Sequence, residues 1–335
     1  MTYVSRYLEP NIIERLNHLQ LSARSVVEGT ITGHHRSPVK GASVEFRQHR
    51  FYTPGDEPRR LDWRVLGRTD RPYIKEYDEE TNLRCVLMID CSGSMGYAGQ
   101  PGAVRGRGST QHPADGSASA SLDVAASAMP AGGSSERGPK FDYAARIVAS
   151  LAYLMLGQTE SVGLALFDEK IRQWLPPRSQ TGQLSQIVDV LERSTPRGPS
   201  GLGRAMQEVA DRLGRRSLVI AVSDAFSPIP AIREGLGRLR HDRHETILLQ
   251  VLDPDEIEFP FRTWTRFRGL EGEHPRLLEP ALVRKTYLSR FRRHRQELAE
   301  TCRAVGAEFY SFVTDKPLID SVTLFLHRRA AVGKR

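Results

Sequence analysis

The sequence predicts an α/β fold: a doubly wound, mostly parallel sheet preceded by an N-terminal β-rich lobe. Two textures predict it. From residue 83 onward, near-continuous apolar runs of strand length alternate with stretches of helical periodicity. Such runs belong to strands covered on both faces, as in parallel sheets flanked by helices. Before residue 80, short β-prone runs are broken by Gly/Pro turns, the pattern of hairpins. The division that follows is residues 1–80 for an N-terminal helix and β-rich lobe, and residues 81–335 for the α/β domain.

Taken in order, residues 8–28 predict a helix, with Leu8, Ile12, Leu16 and Leu19 at apolar spacing. Residues 44–46, 61–65 and 73–77 are β-prone, and Tyr52-Thr53-Pro54-Gly55 is a turn. Asp56, Arg59, Asp62 and Arg64 read as an ion-pair and turn network joining the lobes. Strands are predicted over 83–89, 162–167, 217–222, 246–252 and 308–313, with 171–175 as a hairpin partner of the second. Helices are predicted over 141–156, 184–191, 202–213, 231–240, 281–304 and 317–327. Trp63, Trp174 and Trp264 read as packing residues.

Residues 97–139 interrupt this alternation. Gly, Ser, Ala and Pro make up 28 of the 43, leaving almost no large apolar side chain to offset the entropy of ordering. The segment reads as a disordered insertion between the first strand and its helix.

The charge balance narrows the classes. The net charge is +8, and residues 1–260 carry 32 side chains of each sign, so the whole excess lies in the last 75 residues. Much of it falls in 284–296, RKTYLSRFRRHRQ. One reading is a binder of nucleic acid or an anionic membrane surface through this basic helix. The other is a solvated helix face, with Leu282, Leu288, Phe291, Leu298 and Cys302 forming a buried stripe. No run of ~18 apolar residues is present, so no membrane span is expected. The start of the chain lacks the apolar region of a secretory signal. Cys85, Cys91 and Cys302 are too few and scattered for a disulfide framework, which points to a reducing cytoplasm.

The first strand ends in Met88-Ile89-Asp90-Cys91-Ser92-Gly93-Ser94. An alternating backbone leaving a strand can turn Asp90, Ser92 and Ser94 toward one point above its carboxyl end. A second strand ends at Ser223-Asp224, and the loop Arg197-Gly198-Pro199-Ser200-Gly201 opens a helix with a hydroxyl. Asp90, Ser92, Ser94, Ser200 and Asp224 are all hard oxygen donors, suited to Mg²⁺ or Mn²⁺. Thr195 is a rival to Ser200 for the third hydroxyl. Enzyme signatures fail on particulars. Asp90-Cys91-Ser92 lacks the second Asp of an aspartate phosphatase. Gly93-Ser94-Met95-Gly96 is one residue short of a nucleophile elbow, and there is no phosphate-binding Gly-Lys-[Ser/Thr] loop.

The order Asp-x-Ser-x-Ser, helix-start hydroxyl, strand-terminal Asp resembles the metal-ion-dependent adhesion site of von Willebrand factor type A domains. That site usually has Thr at the position of Ser200; the hydroxyl is retained. Upstream, Gly33-His34-His35-Arg36-Ser37-Pro38, Tyr52-Thr53-Pro54-Gly55-Asp56, Asp62-Trp63-Arg64 and Lys75-Glu76-Tyr77 resemble the bacterial domain of unknown function 58 family. The resemblance implies a type A-like α/β domain and a non-enzymatic, divalent-metal-dependent protein-interaction module. It also implies an adaptor or co-chaperone role beside a MoxR-type AAA+ ATPase, acting on a client protein.

Overall fold

The computed structural model describes residues 5–8, 14, 44–52, 62–69, 71–79, 83–99, 138–180, 182–214, 216–272 and 274–332. In the N-terminal region, strands β1 (Val44–Phe51) and β2 (Tyr73–Glu79) pair antiparallel. Between them in sequence lies helix α1 (Trp63–Thr69). The β-prone reading of 61–65 is therefore corrected. The Asp62 carboxylate accepts the Val65 N–H at 3.3 Å, and the Leu66 N–H reaches the Asp62 carbonyl at 2.9 Å. A capping Asp satisfying first-turn amides outweighs the intrinsic preference of Trp63 and Val65. The predicted 8–28 helix and the turn at 53–55 lie almost wholly outside the described residues. Leu8 itself closes a short turn back to Ser5.

The α/β region is built on one six-stranded sheet. Its strands are β3 (Arg84–Asp90), β4 (Ser161–Phe167), β5 (Ile171–Arg178), β6 (Leu218–Ser223), β7 (Glu245–Leu252) and β10 (Glu308–Val313). They lie in the order β10-β7-β6-β3-β4-β5, with only β5 antiparallel to its neighbour. Counted along the chain this is a 3-2-1-4-5-6 arrangement, so strand order reverses between β3 and β6.

Helices cover both faces. Cys85, Leu87 and Ile89 face a core shared with α2 (Lys140–Gly157), α3 (Gln183–Arg193) and α8 (Leu318–Val332). The alternate residues Val86 and Met88 face a second core with α4 (Leu202–Arg212), α5 (Ile229–His241) and α7 (Pro280–Val305). Tyr7 and Leu8 are buried in the first core, and the Tyr7 hydroxyl donates to Asp142 at 3.1 Å.

A short helix α6 (Pro254–Glu258) and a small hairpin of β8 (Thr265–Phe267) and β9 (Arg276–Leu278) were not legible in the sequence pattern. The aromatic reading is corrected at two positions: Trp63 and Trp264 are exposed, and only Trp174 packs against a core. The predicted stripe on α7 holds at Phe291, Leu298 and Cys302 but not at Leu282, which is 76% exposed.

Residues 100–137 of the predicted insertion lie outside the described residues. Its two ends meet: the Lys140 N–H donates to the Tyr97 carbonyl at 2.8 Å.

Candidate functional site

Asp90 is the last residue of β3 and Asp224 follows β6 directly, so both carboxylates stand at the carboxyl ends of neighbouring parallel strands. This is the switch point, where open α/β sheets leave a crevice for ligands. Both residues are fully buried.

Asp90 is the meeting point of the cluster. Its Oδ1 accepts the Ser92 N–H at 2.9 Å, and its Oδ2 accepts the hydroxyls of Ser200 at 2.8 Å and Ser223 at 2.6 Å. The Ser92 and Ser94 hydroxyls lie 3.2 Å apart. Ser227 adds a further hydroxyl, donating to Ser200 Oγ at 3.3 Å. Burial, reinforced by the Asp224 charge, pushes the Asp90 carboxyl up to about 6 against these hydrogen bonds. Four of the five sequence-predicted residues thus form one hydrogen-bonded group, and Ser200 is the hydroxyl that reaches Asp90. Thr195 is exposed and contributes its backbone carbonyl to Arg172 instead.

Glycines make this packing possible. Gly93 donates its N–H to the Gly198 carbonyl at 2.8 Å, and a Cβ there would sit 1.9 Å from the Leu270 carbonyl oxygen. Any side chain at Gly93 would collide with the Leu270 backbone and displace the Ser92–Ser94 turn.

Asp224 is held differently. Its Oδ2 accepts the fully buried Lys140 ammonium at 2.8 Å, and the same ammonium donates to Glu256 Oε1 at 2.6 Å. Burial alone would lower the Lys140 pKa; Asp224 and Glu256 outweigh it and hold it above its ordinary value. Burial raises Glu256 as well, opposed by Lys140. Glu256 closes a capping box with Asp253 at the start of α6. Ala225 adopts a left-handed backbone at φ 57°, turning the chain so that the next ring, Phe226, lies 5.2 Å from the Lys140 ammonium.

Asp224 does not stand as an uncompensated charge. A cation is already there, supplied by the first residue of α2. Lys140, Ser223, Ser227 and Glu256 were missed by the sequence reading. Ser223 lay inside the quoted strand end, and the Asp253-Pro254-Asp255-Glu256 capping pattern was a signal for Glu256. Lys140 carries no local signal, because it follows the low-complexity stretch and looks like a solvated charge.

Among the described residues, no group of three or more His, Cys, Asp or Glu side chains is arranged to hold a metal ion. A cation here would depend on hydroxyls. Asp90, Ser92, Ser94 and Ser200 offer only oxygen, which fits a hard divalent ion and no softer metal. Cys91, beside the cluster, is buried with its thiol pushed up to about 11 by burial, and Arg172 Nη1 lies 3.4 Å from its sulfur.

Fold and site together define an α/β protein with a carboxylate–hydroxyl cluster at the switch point of a mostly parallel sheet. The chain belongs to the family described as protein of unknown function DUF58, which matches residues 48–106 and 113–297. Uncharacterized proteins of Mycobacterium bovis and Mycobacterium tuberculosis are each 25% identical over 334 residues, covering 97% of this chain and 92% of theirs. An uncharacterized Mycobacterium avium protein is 30% identical over 149 residues, covering 42% of this chain and 87% of its own. Among solved structures, the conserved hypothetical protein BatB from Bacteroides thetaiotaomicron aligns at 14% identity with a TM-score of 0.42, over 74% of this chain and 99% of that one. An aerotolerance-related membrane protein from Bacteroides fragilis aligns at 13% identity with a TM-score of 0.43, over 74% and 100%. Among the described residues, no helix is long and apolar enough to cross a membrane.

Proposed function

We propose that this protein is a non-enzymatic, divalent-metal-dependent protein-interaction module with a von Willebrand factor type A-like domain. In this reading it works in the cytoplasm as an adaptor or co-chaperone for a MoxR-type AAA+ ATPase and its client. The observation that carries the reading is the convergence on Asp90. Residues separated by up to 133 positions bring two hydroxyls and a backbone amide onto one buried carboxylate at the carboxyl edge of the sheet. A buried carboxylate wrapped in neutral donors can share its charge with a cation without losing its support. Ser92, Ser94 and Ser200 would hold Mg²⁺ or Mn²⁺ through their hydroxyls, with Asp90 and Asp224 supplying negative charge. The ion would supply an electrophilic anchor for a carboxylate of the partner, since Mg²⁺ keeps exchangeable positions when protein ligands are few.

The test uses the full chain and a purified MoxR-type ATPase immobilised on a sensor surface. Binding in Mg²⁺ that is lost on chelation, and lost in Asp90→Ala, is the expected result. Binding of equal strength with and without chelator would overturn the metal-dependent mechanism.

A further inference from the structure

Beside the candidate site runs a groove of about 580 Å³ between Phe226 and the N-terminal half of α7. Leu282, Val283, Tyr287 and Phe291 line it with Phe226, and Arg290 and His294 stand among them. The Phe226 ring lies 6.1 Å from that of Phe291, and Phe291 stacks on Tyr287 at 5.9 Å. The apolar face of α7 that begins here continues to Leu298 and Cys302, which are fully buried in the second core. Leu282, outside that buried stripe, lines the outer side of the groove at 76% exposed, and Phe226 is 38% exposed.

The groove is continuous with the Asp90 cluster through a single turn. Asp224 bonds Lys140, Phe226 lines the groove, and Ser227 donates to Ser200. The Ala225 carbonyl lies 2.8 Å from His294 Nε2, tying this turn to α7. Charge indicates the occupant. Residues 280–296 carry six basic side chains and no acidic one. Aliphatic walls at Leu282 and Val283 gain nothing from phosphate but gain from burying a leucine or phenylalanine.

We propose that the groove takes an apolar anchor of an acidic segment on a partner protein, with Arg290 meeting the carboxylates that flank the anchor. An acidic residue of the same segment reaches the metal. This last part rests on the metal reading above; the groove contact does not. Two-point recognition of this kind would give the module its selectivity, because a carboxylate alone carries little information.

The experiment is fluorescence anisotropy with a set of labelled twelve-residue peptides. Each carries one Asp and one Leu at varied spacing in a Glu/Ser background. Two controls replace Leu by Ser, or Asp and Glu by Asn and Gln. A labelled single-stranded DNA of similar length is run in parallel. Protein variants are Leu282→Asp, at an exposed position, Arg290→Glu and Asp90→Ala, with Mn²⁺ affinity and melting temperature measured for each. The expected result is binding that needs both Leu and the acids. It should fall about tenfold or more in Leu282→Asp and Arg290→Glu, a loss of 1.4 kcal/mol or more, while their Mn²⁺ affinity and melting stay unchanged. If those losses appear but chelation and Asp90→Ala leave peptide binding intact, the groove stands and the metal reading falls. Peptide binding indifferent to Leu282→Asp and Arg290→Glu would overturn the proposal. So would tight, salt-sensitive DNA binding with no peptide preferred over its neutral control.

Discussion

Strands β3 and β6 are neighbours that end alike and are stabilised differently. Each delivers a fully buried aspartate to the same edge of the sheet. Asp90 is held by neutral donors: the Ser92 amide and the hydroxyls of Ser200 and Ser223. Asp224 is held by the ammonium of Lys140, itself shared with Glu256. The two solutions have different consequences. Neutral donors satisfy the oxygens of Asp90 but leave its charge uncompensated, so a cation is welcome there. A buried ammonium compensates Asp224 outright, so a divalent ion would have to share that oxygen with Lys140. The metal's charge would thus come chiefly from the β3 side, with Asp224 fixed in place behind it.

The largest effect should come from removing Lys140. Lys140→Met leaves the buried Asp224 and the partly buried Glu256 without their cation, and breaking a buried pair costs about 3–5 kcal/mol. A fall of about 10 °C in melting temperature follows for a domain of this size. Mn²⁺ should restore part of it, raising the variant's melting temperature more than it raises the wild type's. An unchanged melting curve would mean that Asp224 needs no compensation, and the contrast between the two strands would collapse.

A pH titration of Glu160 is next in size. Burial pushes this carboxyl up to about 7, and one of its oxygens has no hydrogen-bond partner among the described residues. A folded-state value above the unfolded one means that folding favours the protonated form. Stability is then fullest below about 4.5, falls as pH rises toward 7, and is flat beyond. Glu160→Gln should remove that slope, raising the melting temperature by a few degrees above pH 7 and leaving it unchanged at low pH. Glu160 lies away from the rim, so it calibrates what an unpaired buried carboxylate costs in this fold. Identical pH profiles of wild type and variant would show that the charge is solvated.

Ser200→Ala sharpens the β3 side. It removes one neutral ligand that a water can replace, so Mn²⁺ affinity should fall by less than about tenfold. A complete loss in calorimetry would make Ser200 indispensable. The smallest effect is expected from deleting residues 99–138. The deletion spans a gap already bridged by the Lys140 N–H to the Tyr97 carbonyl. The melting temperature should change by less than ~5 °C, about 2 kcal/mol. A larger fall would show that the segment helps to place Lys140.

The sequence made the framework readable where local signals and tertiary demands agreed. The apolar run of β3 ending in Asp90 is visible because a strand covered on both faces needs consecutive buried positions, six of them here, Cys85 to Asp90. Agreement failed at Trp63, where a capping Asp62 turned β-prone residues into a helix, and at Trp264, where a large ring is left exposed. It failed for β8 and β9 because three-residue strands carry no period. In the site, residues on strand ends and in the Asp-x-Ser-x-Ser text were legible. Lys140 was not, because its meaning comes from Asp224, 84 positions away.

The central claim is that Asp90 is the charged base of a divalent-cation site. Asp90→Asn tests it most directly. Its one amide oxygen stays beside the Ser92 N–H, and its NH2 faces the Ser200 and Ser223 hydroxyls, which can rotate to accept, so the charge is removed without orphaning a buried donor. Asp90→Ala would instead orphan those buried donors, at about 1–3 kcal/mol for each. Isothermal titration with Mn²⁺ on the wild type and Asp90→Asn, with melting curves for both, is decisive. The account predicts one bound Mn²⁺ in the wild type, affinity lowered about a hundredfold or more in the variant, and closely similar melting. Equal Mn²⁺ affinity in two equally folded proteins would contradict it.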